Sequence, residues 1–197
     1  MSEARGPDPT RRSERSRKAI LSAAMELVTE SGYAKTSIEG IAARAGVGKQ
    51  TIYRWWPSKA AVIFDALLDL TEGQQGFSVL DTGDLREDLK QVLRATAEEL
   101  ASPRFDISFR ALAIEIQYDE NLAGHWREKM LGPALDATKE RLRSAQRNGE
   151  IDADLDLDVA VELLYGPLYH RWLLQTAPVT TQHADAVVDL AVRAMSR

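Results

Sequence analysis

The sequence has no cysteine, which excludes disulfides, thiolate metal sites and a cysteine nucleophile. It has no apolar run near the roughly 20 residues of a membrane span, and no signal-peptide apolar region follows its start. The apolar–polar alternation of a half-buried strand is missing, as are internal repeats and low-complexity blocks. The three histidines, His125, His170 and His183, stand in no metal-ligand spacing. The alternating acids Asp152, Asp154, Asp156 and Asp158 have Leu157 and Leu163 where a calcium loop needs Gly and Glu. They read instead as carboxylates before a helix N-terminus, where the dipole favours them. Glu115, Asp119 and Glu120 come with neither a G-x-S-x-G turn nor a paired-acid pattern. No catalytic residue, cofactor or metal is expected, and a cytoplasmic protein without membrane contact is the simplest expectation.

What is present is helical periodicity and uneven charge. Residues 1–60 carry 11 Lys/Arg against 6 Asp/Glu, and residues 61–197 carry 14 against 24. A basic first part on an acidic remainder suits a chain of which one part meets a polyanion. Residues 1–13, with Gly6, Pro7 and Pro9, read as a disordered basic arm. Arg5, Arg11, Arg12, Arg15, Arg17 and Lys18 crowd this arm and the start of the next helix. The arm suits a minor groove or serves as a solubilising tail. Ser13–Ser31 is predicted as the first helix, buried along Ile20, Ala23, Ala24, Leu27 and Val28 and stopped by Gly32.

The segment 36–59, TSIEGIAARAGVGKQTIYRWWPSK, carries the most information. Thr36 and Glu39 stand in the order of a capping box. Ile38, Ile41, Ala42 and Ala45 form one apolar stripe, and Gly46 supplies the positive φ that ends a helix. A second helix is predicted over Lys49–Trp56, ending before Pro57. Two short helices around a glycine turn are the signs of a helix-turn-helix. On a wheel, Ile52 and Trp56 face inward, and Gln50 and Arg54 face outward with Thr51 and Tyr53 flanking. In a major groove Gln reads adenine, Arg reads guanine, and the Thr methyl meets a thymine methyl. Tyr53, Trp55 and Lys59 suit phosphate oxygens, as do Thr36 and Ser37 at the start of the first short helix.

This stretch resembles the DNA-binding domain of the tetracycline-repressor (TetR) family of bacterial regulators. The resemblance rests on Gly32-Tyr33, Thr36-Ser37, Ile41-Ala42, Ala45-Gly46-Val47, Lys49, Thr51-Ile52-Tyr53 and Pro57-Ser58-Lys59, within residues 14–74. Trp55-Trp56 departs from it, since many members carry His or Tyr followed by Phe there. Trp56 can fill the Phe role. Trp55 can donate to phosphate but cannot accept or titrate.

The resemblance implies an all-α chain of about nine helices. A helix-turn-helix domain would occupy residues 14–74, and a ligand-binding and dimerisation domain residues 75–197. Lys49, Gln50, Thr51 and Arg54 would face the groove. Thr36, Ser37, Gly48, Tyr53, Trp55 and Lys59 would hold the backbone. Beyond residue 74, periodicity predicts helices over Leu85–Ala101, about Phe105–Asp119, Leu122–Asn148 with a kink at Gly132-Pro133, Asp156 or Asp158 to Gln175, and Thr180 or Thr181 to Met195. Candidate effector-pocket residues are Phe105, Phe109, Tyr118, His125, Trp126, Met130, Tyr165 and Tyr169. Pro167 predicts a bend in the penultimate helix, which resembles one that pairs with the last helix across a dimer interface. Leu168, Trp172, Val187, Leu190 and Ala191 are its candidate contacts.

The function implied is a homodimeric regulator, by default a repressor, that binds a palindromic operator and is released by a small effector. Two other readings stay open: a regulator of the same fold without a small ligand, and a helical interaction module with an inactive DNA-binding head.

Overall fold

The computed structural model describes residues 9–71 and 78–196. Every regular element among them is helical. They divide into two units, Met1–Gln74 with Ile107–Ala123, and Gln75–Asp106 with Gly124–Arg197. The division differs from a cut at residue 74, because the last two turns of one helix and the loop after it pack with the N-terminal segment.

In the first unit α1 spans Pro9–Ser31. It starts earlier than expected, and Pro9 suits that place because a first-turn residue needs no N–H partner. The expected arm is thus shortened to residues that lie outside the described ones. Ile20, Leu21, Ala23, Ala24, Met25 and Val28 are buried. Gly32 ends the helix at φ 82, and a 3-10 turn, Tyr33–Lys35, follows. Helix α2 (Ile38–Ala45) is capped by Ser37, whose hydroxyl accepts from the Gly40 amide, and closed by Gly46 at φ 66. The expected cap is one residue off. Thr36 is buried, and its hydroxyl donates back to the Gly32 carbonyl at 3.0 Å. Glu39 consequently falls one residue short of the position from which it could complete a capping box.

Helix α3 (Lys49–Tyr53) is shorter than predicted. Its end tightens because the Trp55 amide donates to the Ile52 carbonyl three residues back, at 2.9 Å. Ile52 and Trp56 are buried as the wheel required. Helix α4 (Lys59–Thr71) starts with the Ser58 hydroxyl accepting from the Ala61 amide. Val62, Ile63, Phe64, Ala66 and Leu67 are buried. Burial of each large apolar side chain contributes about 1.5–3 kcal/mol, and this cluster holds the short α2 and α3, which could not persist alone. Helix α6 (Pro103–Glu115) adds the buried Phe109 and Leu112 to this unit.

In the second unit α5 (Leu85–Ala101) has the predicted bounds, capped by Asp84. The predicted long segment is helical in three parts, of which residues 120–123 belong to the first unit. Helix α7 (Glu120–Trp126) runs into a π turn (Arg127–Leu131) and then α8 (Gly132–Asn148). The Gly132 amide closes the π turn on the Arg127 carbonyl. A Cβ at Gly132 would stand 2.9 Å from that oxygen, so a bare glycine is needed there. Gly149 ends α8 at φ 73. Helix α9 (Leu157–Leu174) is capped by Asp156 and continues through Pro167. Helix α10 (Thr181–Met195) is capped by Thr180. With α7 and α8 counted as one segment, the helices among the described residues number nine, as expected.

Helix α10 packs along α5 and α9. Asp185 takes Arg94 at 2.6 Å, and Asp189 takes Arg86 and Lys90 at 2.5 and 3.0 Å. These residues are half-buried, and their pairing fixes which face of α10 meets α5. Deeper in, Arg141 is buried with Asp88 at 2.7 Å and reaches Glu150 and Asp81 at 3.5 and 3.4 Å. Thr82 also donates to Asp88 through its hydroxyl at 2.6 Å and its amide at 3.2 Å. Burial pushes the Asp88 carboxyl up, but the bonds from Thr82 and Arg141 outweigh it and hold the group below its usual range.

Candidate nucleic-acid interface

Helix α3 is held by its inner face and leaves the other face open. Ile52 is fully buried, and the indole N–H of the buried Trp56 donates to Asp65 on α4 at 2.7 Å. With these two anchored, Lys49, Gln50, Tyr53 and Arg54 are exposed, and Thr51 is half-buried between them. The Arg54 guanidinium lies 5.2 Å from the Trp55 ring centroid. Trp55 in turn meets Trp56 edge-on, 5.3 Å between centroids. Trp55 therefore forms a platform under Arg54.

Lys49 is paired with Glu39 of α2 at 3.1 Å, both exposed. Glu39 is held below its usual range by its own backbone amide and by Lys49. Ser37 is exposed; its oxygen caps α2, and its hydroxyl proton stays available for an acceptor. Gly48 is exposed at the start of α3.

Two candidates sit differently from the expectation. The Thr36 side chain is buried and bonded to Gly32, so its hydroxyl is turned inward. The Lys59 ammonium donates to the Tyr33 carbonyl at 2.9 Å and lies 3.9 Å from that ring's centroid. A helical wheel carries no information on either, because both bonds end in the Gly32-Tyr33 turn, outside a regular helix. Asp65 and Arg44 were not foreseen. Arg44 joins α2 to α1 through Glu26 and Glu30, at 3.2 and 2.8 Å. Nothing in the spacing of either residue separates it from an ordinary solvated charge.

The candidate pocket residues do not form one group. Phe109 and Tyr118 belong to the first unit, the others to the second. Tyr118 is 88% exposed, because α6 ends at Glu115 and the tyrosine stands in the turn beyond it. His125 is also exposed on α7, whereas Trp126 and Met130 are buried. Phe105 is half-buried. The Tyr165 hydroxyl is buried 2.9 Å from that of Thr138. Tyr169 is half-buried and edge-on to Trp172 at 6.3 Å. Burial, then the neighbouring Tyr165 and Glu99, pushes the Tyr169 phenol above its ordinary value. Glu99, unnoticed in the charged run of α5, is itself pushed up by burial.

Of the candidate dimer contacts, Leu168, Trp172, Val187 and Ala191 are buried within the protomer, and only Leu190 is exposed, at 63%. The exposed apolar residues of α9 are Val159, Leu163, Leu173 and Leu174. Helix α9 is apolar on all sides, so its pattern could not separate the inner face from the outer.

Residues 20–66 match the family model for bacterial regulatory proteins of the tetR family, and residues 79–191 match that for the tetracyclin repressor-like C-terminal domain. The chain is 36% identical to the uncharacterized HTH-type transcriptional regulator YdeS of Bacillus subtilis, over 90% of this chain and 88% of the relative. It is 32% identical to the DNA-binding transcriptional repressor TetR of Mycobacteroides abscessus, over 83% and 85% of the two chains. A TetR-family transcription regulator of known crystal structure is 33% identical and superimposes with a TM-score of 0.71, over 93% of this chain and all of that one. No helix among the described residues is long and apolar enough to cross a membrane. The two matched domains and the exposed polar face of α3 lead to one conclusion: the chain belongs to the TetR family and is a DNA-binding transcriptional regulator.

Proposed function

We propose that the protein is a homodimeric repressor that binds a palindromic operator and leaves it when a small effector binds the second unit. The observation that carries the DNA part is the polar face of α3, fixed outward because Ile52 and Trp56 are anchored behind it. Lys49, Gln50, Thr51 and Arg54 read the groove, while Ser37, Gly48, Tyr53 and Trp55 hold phosphates. Repression accords with the printed name of one relative. The outer residues of α9 with Leu190 supply the apolar surface for a second copy. Two-fold symmetry then requires an operator with two half-sites in successive major grooves. An effector releases DNA only if it favours a dimer whose α3 helices are wrongly spaced. Such a regulator works in the cytoplasm, where its operator is.

The experiment is selection of duplexes from a random-sequence pool by the full-length protein, followed by binding at two salt concentrations and by light scattering. A palindromic consensus, two protomers per duplex and steep salt dependence are expected. Affinity equal for selected and scrambled duplexes would overturn the operator reading. One protomer per duplex would overturn the dimer.

A further inference from the structure

Tyr33 joins three elements of the first unit. Its phenol donates to Glu115 Oε1 at 2.8 Å, and Glu115 is the last residue of α6. Its carbonyl accepts from the ammonium of Lys59, the first residue of α4, and that ammonium also lies over the ring. The same carbonyl takes the Thr36 amide at 3.2 Å, just before the Ser37 cap of α2. The turn that delivers the chain into the helix-turn-helix is thus pinned from α6 on one side and α4 on the other.

The two poles of this tyrosine reinforce each other. A carboxylate accepting the phenolic proton makes the ring more electron-rich, and an electron-rich face holds an ammonium more firmly. Burial, and then the bond to Glu115, raise the phenol above its ordinary value, so it remains a donor across the physiological range. Glu115 lies 49 residues beyond the end of the matched DNA-binding segment, residues 20–66. In the same unit the Ser108 hydroxyl of this helix donates to the Met25 sulfur of α1 at 3.9 Å, and Phe109 and Leu112 are buried.

We propose that Glu115 is a positioning residue for DNA binding: through the Tyr33 phenol and carbonyl it fixes the entry to α2 and, with it, the placing of α3. It touches no DNA itself. The proposal rests on the DNA-binding reading. Wild-type binding to the selected duplex tests that reading by itself, so the two failures are distinguishable.

The test is a double-mutant cycle in affinity for that duplex, using full-length Tyr33→Phe, Glu115→Ala, the double variant and Glu115→Gln. Thermal melts confirm that each is folded. Each of the first two is expected to lose about 3- to 10-fold in affinity, the range for one lost hydrogen bond. The double variant should lose no more than the worse single one. Glu115→Gln keeps a carbonyl acceptor for the phenol and should restore affinity to within about twofold. A merely structural glutamate would give losses that add in the double variant and would gain nothing from glutamine. Additive losses, unchanged or higher affinity in Tyr33→Phe, or equal losses in Glu115→Gln and Glu115→Ala would each overturn the proposal.

Discussion

Arg141 and Asp88 show what single residues contribute. Both are buried, and each satisfies the other. Removing one strands the other charge in the interior, which costs more than the pair contributes net. Arg141→Ala is expected to destabilise the protein by about 3 kcal/mol, read by urea denaturation. A variant within experimental error of wild type would show that water enters and solvates Asp88. The same pair gives a sign to the acid response. The folded-state value of Asp88 lies below the ordinary one, so its stabilisation is present in full above about pH 3.9 and is lost as pH falls through the lower folded value. Asp88→Asn should therefore unfold at a lower denaturant concentration at neutral pH. Its stability should also fall less steeply than that of wild type between pH 4 and pH 2. Little of this was legible in the sequence. Arg141 stands in a run of charged residues, and nothing in its spacing separates it from the exposed Arg143 two positions on.

Elements were legible where local chemistry decides them. Asp156 and Thr180, each one of two capping residues the sequence offers, cap their helices with their own side chains, and Gly46 and Gly149 end theirs at positive φ. Faces were legible where a helix has only one apolar stripe, as α3 does. They are illegible in α9, whose apolar residues surround it, so that the buried Leu168 and Trp172 and the exposed Leu163 and Leu173 look alike in the sequence. The outward residues lead to a prediction about the element. Leu173→Glu or Leu190→Glu would place a carboxylate on a surface that, in a dimer, is buried without a partner. The expected result is monomer by light scattering with unchanged helical content; a dimer of wild-type affinity would place the interface elsewhere. Gly132 makes a second one. Its Cβ position is 2.9 Å from a backbone oxygen that has no side-chain freedom to move. Gly132→Ala should cost about 1–3 kcal/mol, seen as a lowered melting temperature.

At the scale of the molecule, the DNA-binding segment packs with chain from far beyond it. The matched residues 20–66 lie in a unit completed by Ile107–Ala123, which supplies the buried Phe109 and Leu112. A fragment ending at Gln74 should therefore melt less cooperatively and at a lower temperature than the same unit in the full chain; an equally cooperative melt would show that α6 adds nothing to it. The family and the helical class could be read from one motif and the absence of alternation. The division into units could not, because chain order hides the return of α6 to the first unit. The segment from α7 to α8 has one more consequence, concerning length. A π turn is an α-helix with one residue more than its flanks require. Loss of a single codon within residues 127–131 would let the segment close as plain α-helix, with both flanks keeping their faces. The same loss at Lys139 would rotate the following residues by about 100° and carry Arg141, Leu142 and Ala145 out of the core. Related genes are thus free to differ by one codon at the π turn and bound to agree a few codons later.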